Sequence, residues 1–469
     1  MLISENKQSS KQVSMSGLDY AVLILISLSL LVIGISKVSQ TESSYLVADR
    51  RTGLFALTAT LVMTELNTAT LISFAALGYA AGLWGLILPS IFLIGLLFYA
   101  VTVAKKWKAF NGLSVAAFFS QRYGKDVGRF ASLTLLVSMA AFSATYIKSL
   151  VVLFNPFFPH VSDWAISGLL VIIPLIMTLR GGLVSVIYTD IFSFVVTFVF
   201  FPLMAFFSWQ SHSLEIPSLD VIIKEGSQVA PVWFITSLIV LTMFTYILAP
   251  WYGQKIFAAQ SERVAYLAVF SAAFLVFFLY ACAILATIPL RGANLPNPDY
   301  ALPFAILRLP SGLRGLGYGI LFAASATTLT GVWGAMTAMI VEDFLKKSSN
   351  DIKRVFLITF CMAVFSYLIS NLLIDRILEK LILANIPVAA LSFALLGGFY
   401  WKKSSRFGAY CSIFVGLICG IGSYLFWGEE GGYTWYWIIG GIPLIFLSGI
   451  AGSYCYEDDT HYNLFATFR

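Results

Sequence analysis

From Leu54 to Ala81 the chain is nearly all apolar or small and long enough to cross a bilayer, yet its middle reads Met63-Thr64-Glu65-Leu66-Asn67-Thr68-Ala69-Thr70. A carboxylate near a bilayer centre costs about 2.5–3.5 kcal/mol on insertion scales. A membrane-spanning segment carries that cost only where the group faces a wet or protein-lined interior. Glu65 therefore marks a functional site.

The composition agrees with a membrane setting. The 469 residues are 59% hydrophobic and 11% charged, which describes a polytopic membrane protein rather than a soluble globular one. At about 20 residues per helical passage, thirteen spans are predicted, at 18–36, 53–81, 84–104, 129–153, 164–180, 186–209, 232–253, 264–290, 315–344, 353–374, 378–400, 406–427 and 434–455. The polar N-terminal stretch and the full-length first apolar run argue against a cleavable signal peptide.

Lysine and arginine set the expected orientation. One set of alternate loops, including Lys255, holds 20 of them and the opposite set holds 8, with Lys148 inside a span. On an odd span count this places the N-terminus outside and the C-terminus in the cytoplasm, as in a bacterial inner membrane. The net charge of +6 follows from that asymmetry, so no nucleic-acid partner is implied. The five cysteines fall within spans and read as small buried thiols. His160, His212 and His461 are scattered through loops, which argues against a histidine-based metal or catalytic site. No soluble domain is expected. The basic stretch 105–128 is expected to carry a short interfacial helix, Ser114–Arg122.

Two spans carry helix-breaking features at matching places. Span 2 holds the polar cluster, and span 7, five spans later, has Pro250 and Gly253 near its end, after Thr242, Thr245 and Tyr246. Interrupted helices at corresponding positions of two halves point to a transporter binding site. Pro and Gly are also common in membrane helices for ordinary reasons. In span 9, Ser325, Thr327, Thr328 and Thr330 cluster within a turn and a half, and Ala324, Thr327 and Thr328 share one face. Two hydroxyls and three unpaired carbonyls would suit sodium, a hard monovalent cation that takes oxygen ligands. The same threonines can equally bond their own helix backbone.

Several segments together resemble the sodium:solute symporter family, whose members share the fold of bacterial leucine transporters. These are Tyr45–Arg50, Thr64–Ser73 followed by Gly78-Tyr79, Arg122-Tyr123-Gly124, Gly181–Asp190, Gln254–Ser261, Asn297–Asp299 through Leu313–Leu316, and Thr327–Thr330 with Glu342-Asp343. They stand in family order across residues 45–343. The resemblance implies an all-α polytopic membrane protein with a core of two inverted five-helix repeats and broken helices. The first repeat would be 53–209 and the second 232–400. Span 18–36 and the two spans in 406–455 would be peripheral, with polar tails at 1–17 and 456–469.

The resemblance also implies sodium-coupled uptake of a small polar metabolite by alternating access, with sodium cotransported and no organic cofactor. The expected partners are that solute and the lipid bilayer, with no obligate protein partner. Carried over residue by residue, the sodium ligands would be the carbonyls of Met63, Leu66 and Ala324 and the hydroxyls of Thr327 and Thr328. Glu65 stands where some amino-acid-transporting relatives have an aspartate, and is expected to support sodium or act as a proton-linked switch. Asp190 and Thr330 would serve sodium release or a second sodium. Gly331, where relatives with a second site have a hydroxyl, favours one sodium per cycle.

Asn67, Thr70, Thr242, Thr245 and Tyr246 fall at substrate-contacting or gating places. Thr70 and Thr242 replace the glutamine and asparagine of the sugar-transporting branch, which counts against a hexose. Lys148 has two readings, a side chain snorkelling to the headgroups or a counter-charge for an anionic or amino-acid-like solute. A transporter-like sensor, a proton-coupled relative and a channel of the same fold are the alternatives. A membrane enzyme would need a cluster of ionisable groups that the spans lack.

Overall fold

The apolar runs fold as helices. The computed structural model describes residues 15–36, 47–110, 112, 114–158, 160–210, 217–291, 293–295, 297–345, 352–429 and 432–456, so most of the expected polar tails lies outside the described residues, as do His212 and His461. Among the described residues eleven helices are long and apolar enough to cross a membrane, and the pair Leu219–Val229 and Val232–Tyr246, bent by 69°, makes a twelfth. The thirteenth expected passage is the fifth. There Asp163–Leu179 is a shorter apolar helix, continued beyond a kink at Gly182 with φ 55° and ψ −151°. Only glycine adopts that backbone conformation without strain.

The helices that position the site are, in chain order, α1 (Gly17–Ser36), α2 (Leu54–Glu65), α3 (Thr68–Ala81), α4 (Pro89–Tyr99), α5 (Ala116–Tyr123), α6 (Lys125–Phe154), α7 (Asp163–Trp209), α8 (Val232–Tyr246), α9 (Pro250–Phe257), α10 (Glu262–Thr287) and α11 (Leu313–Asp343). Helix α11 is the axis of the bundle, its apolar window being 94% buried. Its small residues permit that burial. A Cβ at Gly315 would lie 2.0 Å from the backbone oxygen of Asp19, so α1 and α11 touch backbone to backbone. Asp19 also accepts the free N–H groups of Gly312 and Gly315 at the start of α11, at 2.6 and 3.3 Å. The first span, expected to be peripheral, is thus fastened to the central helix.

Both expected interruptions are present. Helix α2 stops at Glu65 and α3 starts at Thr68. Helix α8 stops at Tyr246 and α9 starts at Pro250, whose fixed φ and missing N–H suit a first helical position. The flanks of the two broken helices are tied together at one end of the bundle. Thr52 N–H donates to Ala258 O at 2.9 Å, and Gln260 N–H donates to Thr52 O at 3.0 Å.

Two local expectations are corrected. The helix predicted at Ser114–Arg122 runs from Ala116 to Tyr123 and is packed into protein instead of lying on lipid, because Phe118, Phe119, Arg122 and Tyr123 are all buried. Arg122 donates to the carbonyls of Lys402 and Ser404, at 3.2 and 2.9 Å. Of the five cysteines only Cys282 is buried. Cys361 and Cys455 are exposed, so small size does not imply an inward position here.

Candidate functional site

The interruption of span 2 redirects its backbone hydrogen bonds. In a continued helix the N–H of Asn67 would reach Met63 O and that of Thr70 would reach Leu66 O. Instead Asn67 N–H donates to Glu65 O at 2.8 Å, and Thr70 N–H donates to Asn67 Oδ1 at 2.9 Å. The carbonyls of Met63 and Leu66 are thereby released from the helical ladder. Asn67 is the N-cap of α3 and also takes the Thr70 hydroxyl at 3.2 Å. Its Nδ2 donates to Glu65 O at 3.1 Å. The carboxamide expected to face substrate is therefore engaged in holding the break open.

Helix α11 closes on this break. Thr328 Oγ1 donates to Ala324 O at 2.8 Å and lies 3.4 Å from Met63 O, and Thr327 Oγ1 donates to Ala324 O at 3.2 Å. Ser325 and Thr68 share a short hydroxyl–hydroxyl bond, and Thr68 Oγ1 donates to Leu321 O at 2.8 Å. Four of the five oxygens expected to bind sodium, those of Met63, Ala324, Thr327 and Thr328, are thus joined in one hydrogen-bonded group. The fifth, Leu66 O, is released three residues along. All five residues are buried.

Glu65 points to the other side of the break, toward α8. Its Oε2 accepts the phenolic hydrogen of Tyr246, and its Oε1 is buried with no hydrogen-bond partner. Tyr280 on α10 donates to the backbone oxygen of Glu65. Around this carboxylate runs a chain of rings. Tyr280 lies 5.0 Å from Phe74 and 5.1 Å from Phe92, Phe92 lies 5.7 Å from Tyr246, and Tyr246 lies 6.2 Å from Tyr252. No ion pair reaches Glu65 among the described residues.

A third cluster lies a turn or more below, on α2, α7 and α9. Lys255 donates to Asp190 Oδ2 at 2.8 Å, to Thr60 O at 3.0 Å and to the Thr64 hydroxyl, while Thr60 also donates to Asp190. The ammonium has three donors and all three are used. Counting Lys255 with the loop lysines is therefore wrong. It is 2% exposed, because α9 resumes after its break inside the bundle. The loop count becomes 20 − 1 = 19 against 8, with the same sign of asymmetry. Lys255 is the residue of this candidate site that sequence reasoning missed. Its only sequence signal is its place in the Gln254–Ser261 stretch.

The remaining predicted residues are dispersed. Thr242 and Thr245 donate to their own helix, to Leu238 O at 2.7 Å and Leu241 O at 3.0 Å, and the Thr242 methyl packs on Gly95 of α4. Thr330 donates to Ala326 O at 2.8 Å and to Pro174 O at 3.3 Å; among the described residues no bond joins it to Asp190. Lys148 pairs with Asp163 at the start of α7, so its partner is a carboxylate of the chain itself.

Comparison with known proteins places this geometry. The chain matches a solved structure of a sodium-coupled sialic acid symporter in a substrate-bound outward-open state, with a TM-score of 0.76 and 17% identity, over 94% of this chain and 98% of the other. It also matches a nucleobase-cation-symport-1 family transporter in a closed conformation with bromovinylhydantoin bound, with a TM-score of 0.60 and 13% identity, over 91% and 98%. At these identities the likeness is one of fold. A search of curated proteins gives no match. The family model for the sodium:solute symporter family matches residues 45–416, most of the chain, and the protein therefore belongs to that family of sodium-coupled membrane transporters.

Proposed function

We propose that this transporter imports a small polar metabolite together with one sodium ion by alternating access. Sodium binds the carbonyls of Met63, Leu66 and Ala324 and the hydroxyls of Thr327 and Thr328. The observation that carries this reading is the pair of carbonyls released at the break, one of them facing Thr328 at 3.4 Å. Unwound backbone supplies neutral oxygens that need no desolvation of a charged ligand. Sodium bridging α2 and α11 fixes the break and completes the substrate side of span 2. Separation of α11 from α2 then releases the ion.

Lys255 supports a stoichiometry of one. Its ammonium already neutralises Asp190, the carboxylate that a second sodium would use. With the N-terminus outside, the membrane potential contributes about 2.3 kcal/mol per charge per 100 mV. A tenfold sodium gradient adds about 1.4 kcal/mol. Together these sustain roughly several-hundred-fold accumulation of a neutral solute.

Among solutes, an organic anion or an amino-acid-like compound is favoured over a hexose, and the buried carboxylate of Glu65 supports the amino-acid-like class. Uptake by proteoliposomes tests the whole reading. Saturable, sodium-driven accumulation above the outside concentration is expected. Flux that never exceeds equilibrium would make the protein a channel or a sensor.

A further inference from the structure

We propose that the transported solute carries an ammonium group and that the Glu65 carboxylate, with the rings beside it, is the site that receives it. This rests on the symporter reading above and names its substrate class.

A carboxylate offers about four lone-pair positions. Glu65 uses one, toward Tyr246, and its Oε1 is buried without a partner. An uncompensated charge in such a place strongly opposes folding unless function requires it. Two lysines within the spans have other partners: Lys255 bonds Asp190, Thr60 and Thr64, and Lys148 pairs with Asp163. The site thus presents a buried carboxyl oxygen with no hydrogen-bond partner, and no ion pair reaches it among the described residues. A carboxylate-bearing solute without a cationic group would bring a second carboxyl group to it.

The two sides of the break divide the labour. The Met63 carbonyl faces α11, where the proposed sodium ligands stand, whereas the Glu65 side chain faces Tyr246 on α8. The walls on the Glu65 side are aromatic. Phe74, Phe92, Tyr246 and Tyr280 form a contiguous group with ring centres 5.0 to 5.7 Å apart. Tyr252 and Tyr99 extend it, 5.2 Å apart, and the hydroxyls of both are buried and unpartnered. Ring faces are negative and attract cations, quaternary ammonium groups in particular. An orphan carboxylate oxygen, an aromatic wall and spare hydroxyls together suit an ammonium group on a small polar body. They offer no cation to an anionic solute.

The test uses the purified full-length protein and thermal shift in sodium and in potassium. The probes are choline, glycine betaine and proline against lactate, gluconate and glucose. At least one ammonium compound is expected to stabilise the protein in sodium, while lactate, gluconate and glucose do not. Glu65→Gln is expected to weaken that compound at least tenfold, with Glu65→Asp recovering part of the loss. A circular dichroism spectrum and a cooperative thermal transition like those of wild type show that Glu65→Gln is folded, whatever its response to sodium. If Glu65→Gln does not fold, Phe92→Leu keeps the carboxylate and removes a ring, and choline or betaine should weaken several-fold. Stabilisation by the anions alone, no response to any ammonium compound, or an affinity indifferent to both substitutions would overturn the proposal. Binding that depends on Glu65 but ignores sodium would instead defeat the sodium coupling and leave this site standing.

Discussion

Lys255 holds Asp190 at 2.8 Å inside the bundle, with the two side chains 2% and 1% exposed. The pair ties α9, the resumed half of one broken helix, to α7, and through Thr60 and Thr64 to α2, the first half of the other. A buried pair gains little net free energy over apolar residues, yet loss of one partner strands a buried charge and costs about 3–5 kcal/mol. Lys255→Met and Asp190→Asn should therefore each lower the unfolding temperature in detergent sharply. The double variant should recover most of the loss. A double variant as unstable as the sum of the singles would show that the two residues act independently.

Sodium dependence tests the oxygens facing the break. Thr328→Ala removes a neutral ligand whose hydroxyl lies 3.4 Å from Met63 O. The sodium concentration for half-maximal uptake should rise at least tenfold, about 1.4 kcal/mol. Thr328→Ser keeps the oxygen and should stay near wild type. Equal sodium curves for Thr328→Ala and wild type would remove this residue from the site.

Asn67 tests the local architecture. As N-cap of α3 it takes the N–H of Thr70 at 2.9 Å. Asn67→Ala should cost about 1 kcal/mol of stability and also let Thr70 N–H seek Leu66 O. Sodium affinity should fall with it. Asn67→Ser keeps a capping acceptor without adding a charge, loses the Nδ2 bond to Glu65 O, and should recover part of both, as read by thermal unfolding and sodium-induced shift. A substrate-contact role alone would instead lower substrate affinity in both variants and leave the sodium response unchanged.

How far these features are legible in the sequence depends on their range. The break in span 2 is legible because a polar octet interrupts an apolar run, and the break before Pro250 because proline and glycine punctuate helices. The capping role of Asn67 is legible in principle, as an asparagine at the start of a helical run. The Lys255–Asp190 pair is not, since 65 residues separate the partners and no periodicity joins them. Loop counting fails there because a helix that resumes inside the bundle looks, letter by letter, like a helix that has left it. The directions of the Thr242 and Thr245 hydroxyls, into their own helix, follow from rotamer choice, which spacing does not encode.

Gly331 leads to the last prediction. A Cβ built there meets no heavy atom within 4 Å, and the same holds at Gly334, although both belong to the most buried long helix. Thr327, Gly331 and Gly334 stand at i, i+4 and i+7 and so share a face. A strip free of side chains thus runs from a proposed sodium ligand toward the Asp343 end of α11. Neither glycine has a positive φ, so the backbone does not require them. Gly331→Ala should accordingly stabilise the protein by about 0.5–1 kcal/mol. Gly331→Leu should fill the strip. If sodium leaves along it, that variant will bind sodium with near-normal affinity but turn over slowly, with net uptake reduced more than exchange from the outer side. Normal turnover in Gly331→Leu would show that the ion takes another way out, and a large loss of stability in Gly331→Ala would show that the space beside it closes during the cycle.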